Sequence, residues 1–267
     1  MKKKRFRFLS VTSVLYPLLF GLLIIALWQG QVLHKLLNTT TLILPLPTRI
    51  ISVISDNFPA IAEDTWATLS VIIPGLLLGS VLGYLLAVFA TNSPRFGATG
   101  LTIIAAISAI PTVALAAVVL QWTRDVSTDV TVRSYVMKLI IVTIVSIASM
   151  TLNAYRGLTE LKPFALDLMK SYAASKFTVF IKLRAPNSLP YIFTSLKVSV
   201  PACVIAALVS EYFAEKITGV GRRIRECILQ AQYSTAWAYI AVACLIGIVL
   251  FAILMASEKV IMRKRSS

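Results

Sequence analysis

Apolar residues gather in six long runs, at about 9–28, 66–90, 98–122, 134–152, 191–212 and 235–257, separated by shorter polar segments. Each run is close to the roughly 20 residues with which a helix crosses a hydrocarbon core, so the pattern predicts an all-α polytopic membrane protein with about six transmembrane helices. The first run follows the basic "MKKKRFR". Its apolar core is long and no small-residue cleavage site follows, so it reads as a retained span and not a signal peptide. The second carries Gly75, Gly79 and Gly83 four residues apart, which puts three glycines on one helix face and predicts close packing against another helix. Pro111 interrupts the third run, and Lys138 and Lys197 lie near span ends, where a long side chain can reach the interface.

Between the fourth and fifth runs the pattern changes. Residues 161–190 are basic but still repeat apolar side chains at helical spacing: Ala165, Leu168, Met169, Tyr172 and Ala173 predict a short amphipathic helix with Pro163 at its first turn. A further turn follows Ser175, a plausible N-cap, with Phe177, Phe180 and Ile181, and Pro186 and Pro190 are expected to stop it. So short a helix is marginal alone in water and needs cover for its apolar face. Either a membrane surface or a protein partner can supply it, and composition alone favours the membrane surface.

Composition agrees with the membrane reading: 58% of residues are hydrophobic, only 14% are charged, and the mean hydropathy is +0.83. The net charge of +15 does not imply nucleic-acid binding, because membrane proteins collect Lys and Arg in cytoplasmic loops. If the N-terminus is cytoplasmic, sixteen Lys and Arg fall on that side and eight on the other, so both termini and the basic segment are expected in the cytoplasm. Cys203, Cys227 and Cys244 show no metal-ligand spacing and read as small hydrophobes. No metal site, no phosphate-binding loop and no enzymatic chemistry are expected of the chain. His34 is expected at an interface or in solvent. "TGVGRR", from Thr218 to Arg223, reads as a tight turn. Glu211, near the end of the fifth run, needs protein, water or a paired cation around it. Ser108, Pro111, Thr112, Ser146, Ser149 and Ser199 are the polar or kink-forming candidates for a translocation path inside the spans. A self-contained secondary transporter or channel is the alternative, although the spans carry almost no midplane carboxylates for ion coupling.

The stretch "DLMKSYAASKFTVFIKLRAPNSLPYIFTSLK" resembles the cytoplasmic EAA loop of ABC importer permeases. Asp167 stands at that motif's Glu, Leu168 and Met169 at its two alanines, and Ala173, Ala174 and Ser175 at its Gly-Ala-Ser. Pro186 and Pro190 close it. The resemblance continues through "LILPLPTRIISVI", "DTWATLSVIIPGLLLGSVLGYLLA", "AISAIPTVALAAV" and "ALVSEYFAEKITGVGRRIREC", and is strongest to permeases of the nitrate, sulfonate and taurine type, a group that also includes vitamin and pyrimidine-precursor importers. It implies a type I importer permease in a prokaryotic cytoplasmic (inner) membrane. Residues 1–8 would be a cytoplasmic leader, 9–65 a first span and extracytoplasmic segment, 66–257 a five-span core containing the coupling loop 153–190, and 258–267 a cytoplasmic tail.

The partners implied are two ATPase subunits that hold ATP and Mg, a second permease subunit expected to be a copy of this chain, and an extracytoplasmic solute-binding protein. No cofactor is expected on the chain itself. Asp167, Lys170, Ser171, Ala173, Ala174 and Ser175, with apolar Leu168, Met169 and Tyr172, are implied to contact the ATPase, and Glu211 to lie in an external gate region. Ala173 departs from the pattern: glycine there permits a left-handed turn that alanine resists, so the turn is expected to be reshaped or helical.

Overall fold

The structure, a computed structural model, describes the backbone of residues 2–266 and the side chains of residues 15–93, 97 and 99–263. The basic leader, Arg95 and the last four residues of the basic tail lie outside the described side chains. In chain order the helices are α1 (Lys2–Gln29), α2 (Val32–Leu36), α3 (Pro47–Asp56), α4 (Phe58–Asn92), α5 (Pro94–Ser108), α6 (Thr112–Trp122), α7 (Val130–Thr159), α8 (Ala165–Ser171), α9 (Lys176–Val179), α10 (Ala185–Phe213), α11 (Val220–Leu229) and α12 (Tyr233–Ser266), with a π turn (Phe180–Arg184) leading into α10. Among the described residues there is no strand.

Among the described residues four helices are long and apolar enough to cross a membrane: α4, α7, the run Lys176–Phe213 that contains α10, and α12. The predicted third span is instead a bent pair, Thr99–Ser108 and Thr112–Trp122, which meet at 95°. The cause is Pro111, which cannot donate to the preceding turn and sits at the N-cap of α6 in an extended conformation (ψ 129°). The described part of the first predicted span is a shorter apolar helix, Leu15–Gln29. Among the described residues, the helices long and apolar enough to cross number four, or five if the bent pair is counted as one span, and part of the first expected span lies outside the described side chains.

The chain forms two compact units, one of residues 1–61 and 224–241, the other of 62–223 and 242–267. In the first, Ile50, Val53 and Ala238 form a small core beside Trp28 and Trp237. Those two rings meet edge-on with centroids 5.5 Å apart. His34 is buried there and its Nε2 lies 2.6 Å from the Leu44 carbonyl, so it is a packed residue and not a solvated one. The "LPLP" segment ends in Pro47 at the start of α3, where a missing N–H costs nothing.

The second unit is built around α7. A Cβ added at Gly75 would lie 2.7 Å from Val142 Cγ1, at Gly79 2.5 Å from Ser146 Cβ and Thr143 O, and at Gly83 2.8 Å from Met150 Cβ and Ile147 O. These pairings advance together along both chains, so α4 and α7 run parallel and touch backbone to side chain along the glycine face. Ser146, proposed for the translocation path, is consumed by this seam: its hydroxyl donates to the Leu76 carbonyl and lies 3.2 Å from Ser80 Oγ. Pro74 leaves the Ser70 carbonyl without its intrahelical donor, and the Tyr135 hydroxyl of α7 donates to that oxygen at 3.2 Å.

Antiparallel α10 packs on another side of α7. Cys203 Sγ approaches the Val142 carbonyl, Ser149 Oγ approaches Ser195 Oγ at 3.2 Å, and Gly157 lets Ser188 and Tyr191 come close enough that a Cβ would sit 2.7 Å from Ser188 Cα. Ser199, a second translocation candidate, is fully buried with a hydroxyl that has no partner among the described residues. Of the two span lysines, Lys138 is buried in α7 and does not reach outward as predicted, and Lys197, partly exposed, makes an ion pair with Glu258 of α12 at 2.7 Å.

Gly79→Ala is expected to destabilise the folded protein by about 1–3 kcal/mol, since neither the Thr143 carbonyl nor Ser146 Cβ can retreat. Gly247→Ala, whose new methyl meets nothing within 4 Å, is expected to be neutral or slightly stabilising. Thermal unfolding in detergent, with both variants side by side, reads the difference.

Candidate functional site

Three features of the second unit carry candidate function: the basic loop between α7 and α10, a buried polar cluster around Glu211, and a cavity beside the bend at Pro111.

The loop is clamped at its root. The last carbonyls of a helix have no partner within it, and at the end of α7 Asn187 supplies one: its side-chain amide donates to the Gly157 carbonyl at 2.8 Å and the Glu160 carbonyl at 3.0 Å. The Tyr191 hydroxyl donates to Glu160 Oε2. From this root the chain enters α8 through Phe164 at φ 63°, one residue beyond Pro163, so the proline precedes the helix and does not open it.

The exit from α8 shows what Ala173 does. Its N–H donates to the Lys170 carbonyl at 2.8 Å, and the Ala174 N–H donates to the Met169 carbonyl at 3.0 Å. This is the paired bonding of a Schellman cap, whose turning residue must be left-handed. Ala173 is indeed at φ 51°, so the turn is neither helical nor reshaped: two hydrogen bonds hold an alanine where glycine fits without strain. Ser175 then caps α9 by accepting from the Thr178 N–H. Pro186 and Pro190 do not stop the helix. The five-residue π turn before Ala185 widens the spiral ahead of Pro186, and the helix passes through Pro190 to Phe213.

The outer surface of the loop is apolar. Phe164, Leu168 and Tyr172 lie at four-residue spacing along one face of α8 with 83%, 58% and 78% of their surface exposed, and Phe177 and Ile181 are exposed on α9 and the π turn. Ala165 and Met169, predicted on that stripe, are half-buried on the inner side, while Phe164, which sequence spacing did not single out, begins it. Asp167 and Lys170 pair at 3.2 Å on the exposed surface beside the stripe, and the Ser171 hydroxyl bonds the Leu168 carbonyl.

At the other end of the same helices Glu211 is fully buried at the end of α10. Its Oε1 accepts from the Thr68 hydroxyl and its Oε2 from the Gly221 N–H, both at 2.8 Å. Asp64 accepts from the Gly219 N–H at 3.0 Å and pairs with Arg223 Nε at 3.0 Å. The "TGVG" turn is therefore wrapped around a carboxylate. Gly219, at φ 102°, must be glycine for a second reason, since a Cβ there would collide with the Glu211 carboxylate. Instead of a single Lys or Arg partner, Glu211 has a hydroxyl and a backbone N–H as its hydrogen-bond donors, and Lys138 acts on it only as a nearby buried charge. Asp64 and Thr68 were missed in the sequence; an acid and a threonine four apart at the polar start of a long apolar helix are the available signal.

The cavity lies between the bent pair, α7 and α10, with a volume of about 510 Å³. It brings together Ser108, Thr112 and Ser149 from the predicted translocation residues and adds Asn153. Pro111 forms the bend beside it. Ser146, Ser199 and Glu211 do not line it.

Replacing Ala173 by Gly is expected to relieve left-handed strain worth about 1 kcal/mol and to slow amide exchange over residues 165–175. Glu211→Leu leaves the Gly221 N–H without an acceptor in the interior, while the Thr68 hydroxyl keeps the Asp64 carbonyl, an expected loss of about 1–3 kcal/mol in unfolding assays.

Comparison with known proteins gives the family and the fold. Residues 75–267 match the family described as binding-protein-dependent transport system inner membrane component. A formylaminopyrimidine transport permease protein, ThiX, of Halalkalibacterium halodurans is 27% identical over 255 residues, covering 94% of this chain and 96% of that protein. A Haemophilus influenzae protein named "Probable ABC transporter permease protein" is 26% identical over 199 residues, covering 74% of this chain and 77% of its own length. Among solved structures, an amino acid ABC transporter with histidines superposes with a TM-score of 0.61 at 13% identity, over 79% of this chain and 96% of that one. The inward-facing MetNI methionine ABC transporter does so at 0.60 and 14%, over 78% and 96%. The all-helical arrangement around α7 is thus the fold of ABC importer permeases, and the chain belongs to the binding-protein-dependent transport system inner membrane component family.

Proposed function

We propose that this chain is the pore-forming subunit of an ATP-driven importer, in which a cytoplasmic ATPase docks on the loop between α7 and α10. The observation that carries the reading is the exposed stripe of Phe164, Leu168 and Tyr172 on a loop whose root is tied to both neighbouring helices. Exposed aromatics on a seven-residue helix are costly in water and call for a partner. The tie at Asn187 and Tyr191 means that a partner gripping α8 also grips α7 and α10. Asp167, Lys170, Ser171, Ala174 and Ser175 rim the stripe, and the left-handed turn at Ala173 sets the angle between α8 and α9.

In this reading the partner ATPase, present in two copies, holds ATP and Mg. A second permease subunit, a copy of this chain, completes the pore, and an extracytoplasmic binding protein supplies the solute. The excess of Lys and Arg on one side supports a cytoplasmic position for both termini and the loop. ATP-driven closure of the ATPase pair shifts the spans between inward-open and outward-open states, because the grip on α8 differs between them. The sequence resemblance leaves two solute groups: nitrate-, sulfonate- and taurine-like anions, and vitamin- or pyrimidine-type metabolites. The 27% identity to a permease named for formylaminopyrimidine supports the second.

Tagged protein extracted from its native membrane in mild detergent is expected to bring down an ATPase subunit, and the Asp167→Lys, Ala174→Glu double variant to lose it while remaining folded. Retention of the ATPase by the folded double variant would remove the docking role from this loop. Absence of any ATPase, under conditions that preserve other membrane complexes, would favour a self-contained transporter.

A further inference from the structure

The cavity beside Pro111 has a feature that bears on what can pass. Among the described residues fourteen line it, of which ten are apolar, four are polar and none is charged. Several charged side chains of the second unit are engaged elsewhere: Asp64 with Arg223, Arg133 with Glu215, Lys197 with Glu258, and Glu211 with Thr68 and Gly221. Lys138 is buried beside that last group and lines no part of the cavity.

Three of the four polar residues, Asn153, Thr112 and Ser108, still have hydrogen-bonding capacity. Asn153 donates to the Ser149 carbonyl through its amide nitrogen, which leaves its second N–H and its side-chain oxygen free. The Thr112 hydroxyl has no bond among the described residues, and the Ser108 hydroxyl donates to the Ala105 carbonyl while keeping its lone pairs. The surface therefore offers donors and acceptors but no countercharge.

An ion entering such a site gives up hydration without meeting an opposite charge, whereas an uncharged polar molecule exchanges water hydrogen bonds for those of Asn153, Thr112 and Ser108. We propose that this cavity is a solute subsite that admits uncharged, hydrogen-bonding small molecules and excludes inorganic and sulfonate anions. The proposal rests on the importer reading for its place in transport, but the charge selectivity belongs to the cavity itself. It also divides the two solute groups left by the sequence, setting aside nitrate, sulfonates and taurine.

The test uses thiol chemistry on the intact purified complex, with Cys203, Cys227 and Cys244 replaced by Ala and a single cysteine introduced as Ser149→Cys. Two probes of similar size are compared: 2-hydroxyethyl methanethiosulfonate, which is uncharged, and 2-sulfonatoethyl methanethiosulfonate, which is itself a sulfonate anion. The ratio of their modification rates is normalised to that of Thr41→Cys, an exposed position outside the spans. The expected result is a normalised preference for the uncharged probe of about tenfold or more, reflecting the missing countercharge. A ratio within about twofold of the exposed control would overturn the proposal. Should Ser149→Cys fail to fold, Thr112→Cys reads the same cavity from α6. Adding ATP and vanadate separates the two claims. Selectivity with a nucleotide-dependent rate supports both, and selectivity without any nucleotide response supports the cavity proposal while counting against the importer reading.

Discussion

Everything in the second unit depends on how closely backbones approach α7. In a bilayer there is little hydrophobic drive for one apolar helix to prefer another over lipid, so contact has to come from packing and hydrogen bonds. On the α4 side, Gly75, Gly79 and Gly83 remove the Cβ atoms that would hold the helices apart. On the α10 side, the small side chains of Ser195 and Cys203, together with Gly157 on α7 itself, do the same. The seams carry polar bonds as well, Ser146 to Leu76 on one side and Ser149 to Ser195 on the other. A helix packed this tightly along two faces leaves its remaining surface to the bend at Pro111, and the cavity lies there.

The polar cluster at Glu211 and the clamp at Asn187 mark opposite ends of the packed helices. At one, a carboxylate and an aspartate gather the N–H groups of a glycine turn that would otherwise be unsatisfied away from water. At the other, a side-chain amide satisfies the last carbonyls of α7. Both solve the problem of ending a membrane helix without leaving backbone groups bare, and both tie a connecting segment to two helices at once.

Much of this was legible in the sequence, and the exceptions have identifiable causes. Apolar runs marked the long helices, and the glycine spacing marked a face, because both patterns are local. The 95° bend was only half legible: Pro111 signals an interruption, but its angle depends on what packs against α5 and α6. Ser146 and Ser199 resemble Ser108 in sequence, and only their helix faces set them apart from the cavity lining, while Ser149 belongs to both the α10 seam and the cavity. Prolines 186 and 190 read as stops, because the π turn that leads into them has no sequence signature. Ala173 kept a left-handed turn against its intrinsic preference, since the two bonds of the cap outweigh a strain of about 1 kcal/mol. The link from Asp64 and Thr68 to residues 219–223 spans more than 150 positions, a pairing no local pattern encodes.

The clamp at Asn187 and Tyr191 has a mechanical corollary. With thirty residues, α7 is a rod of about 45 Å. Because the loop is fastened to the ends of both α7 and α10, a sideways stroke on α8 turns the pair together and does not slide one along the other. If the far end pivots at the cluster around Glu211, a tilt of about 5° carries the loop end through roughly 4 Å and the middle of the rod through half of that. Ser149 and Asn153, nearer the loop end, travel further than the midpoint, so the lining of the cavity sits where a small rotation is already magnified.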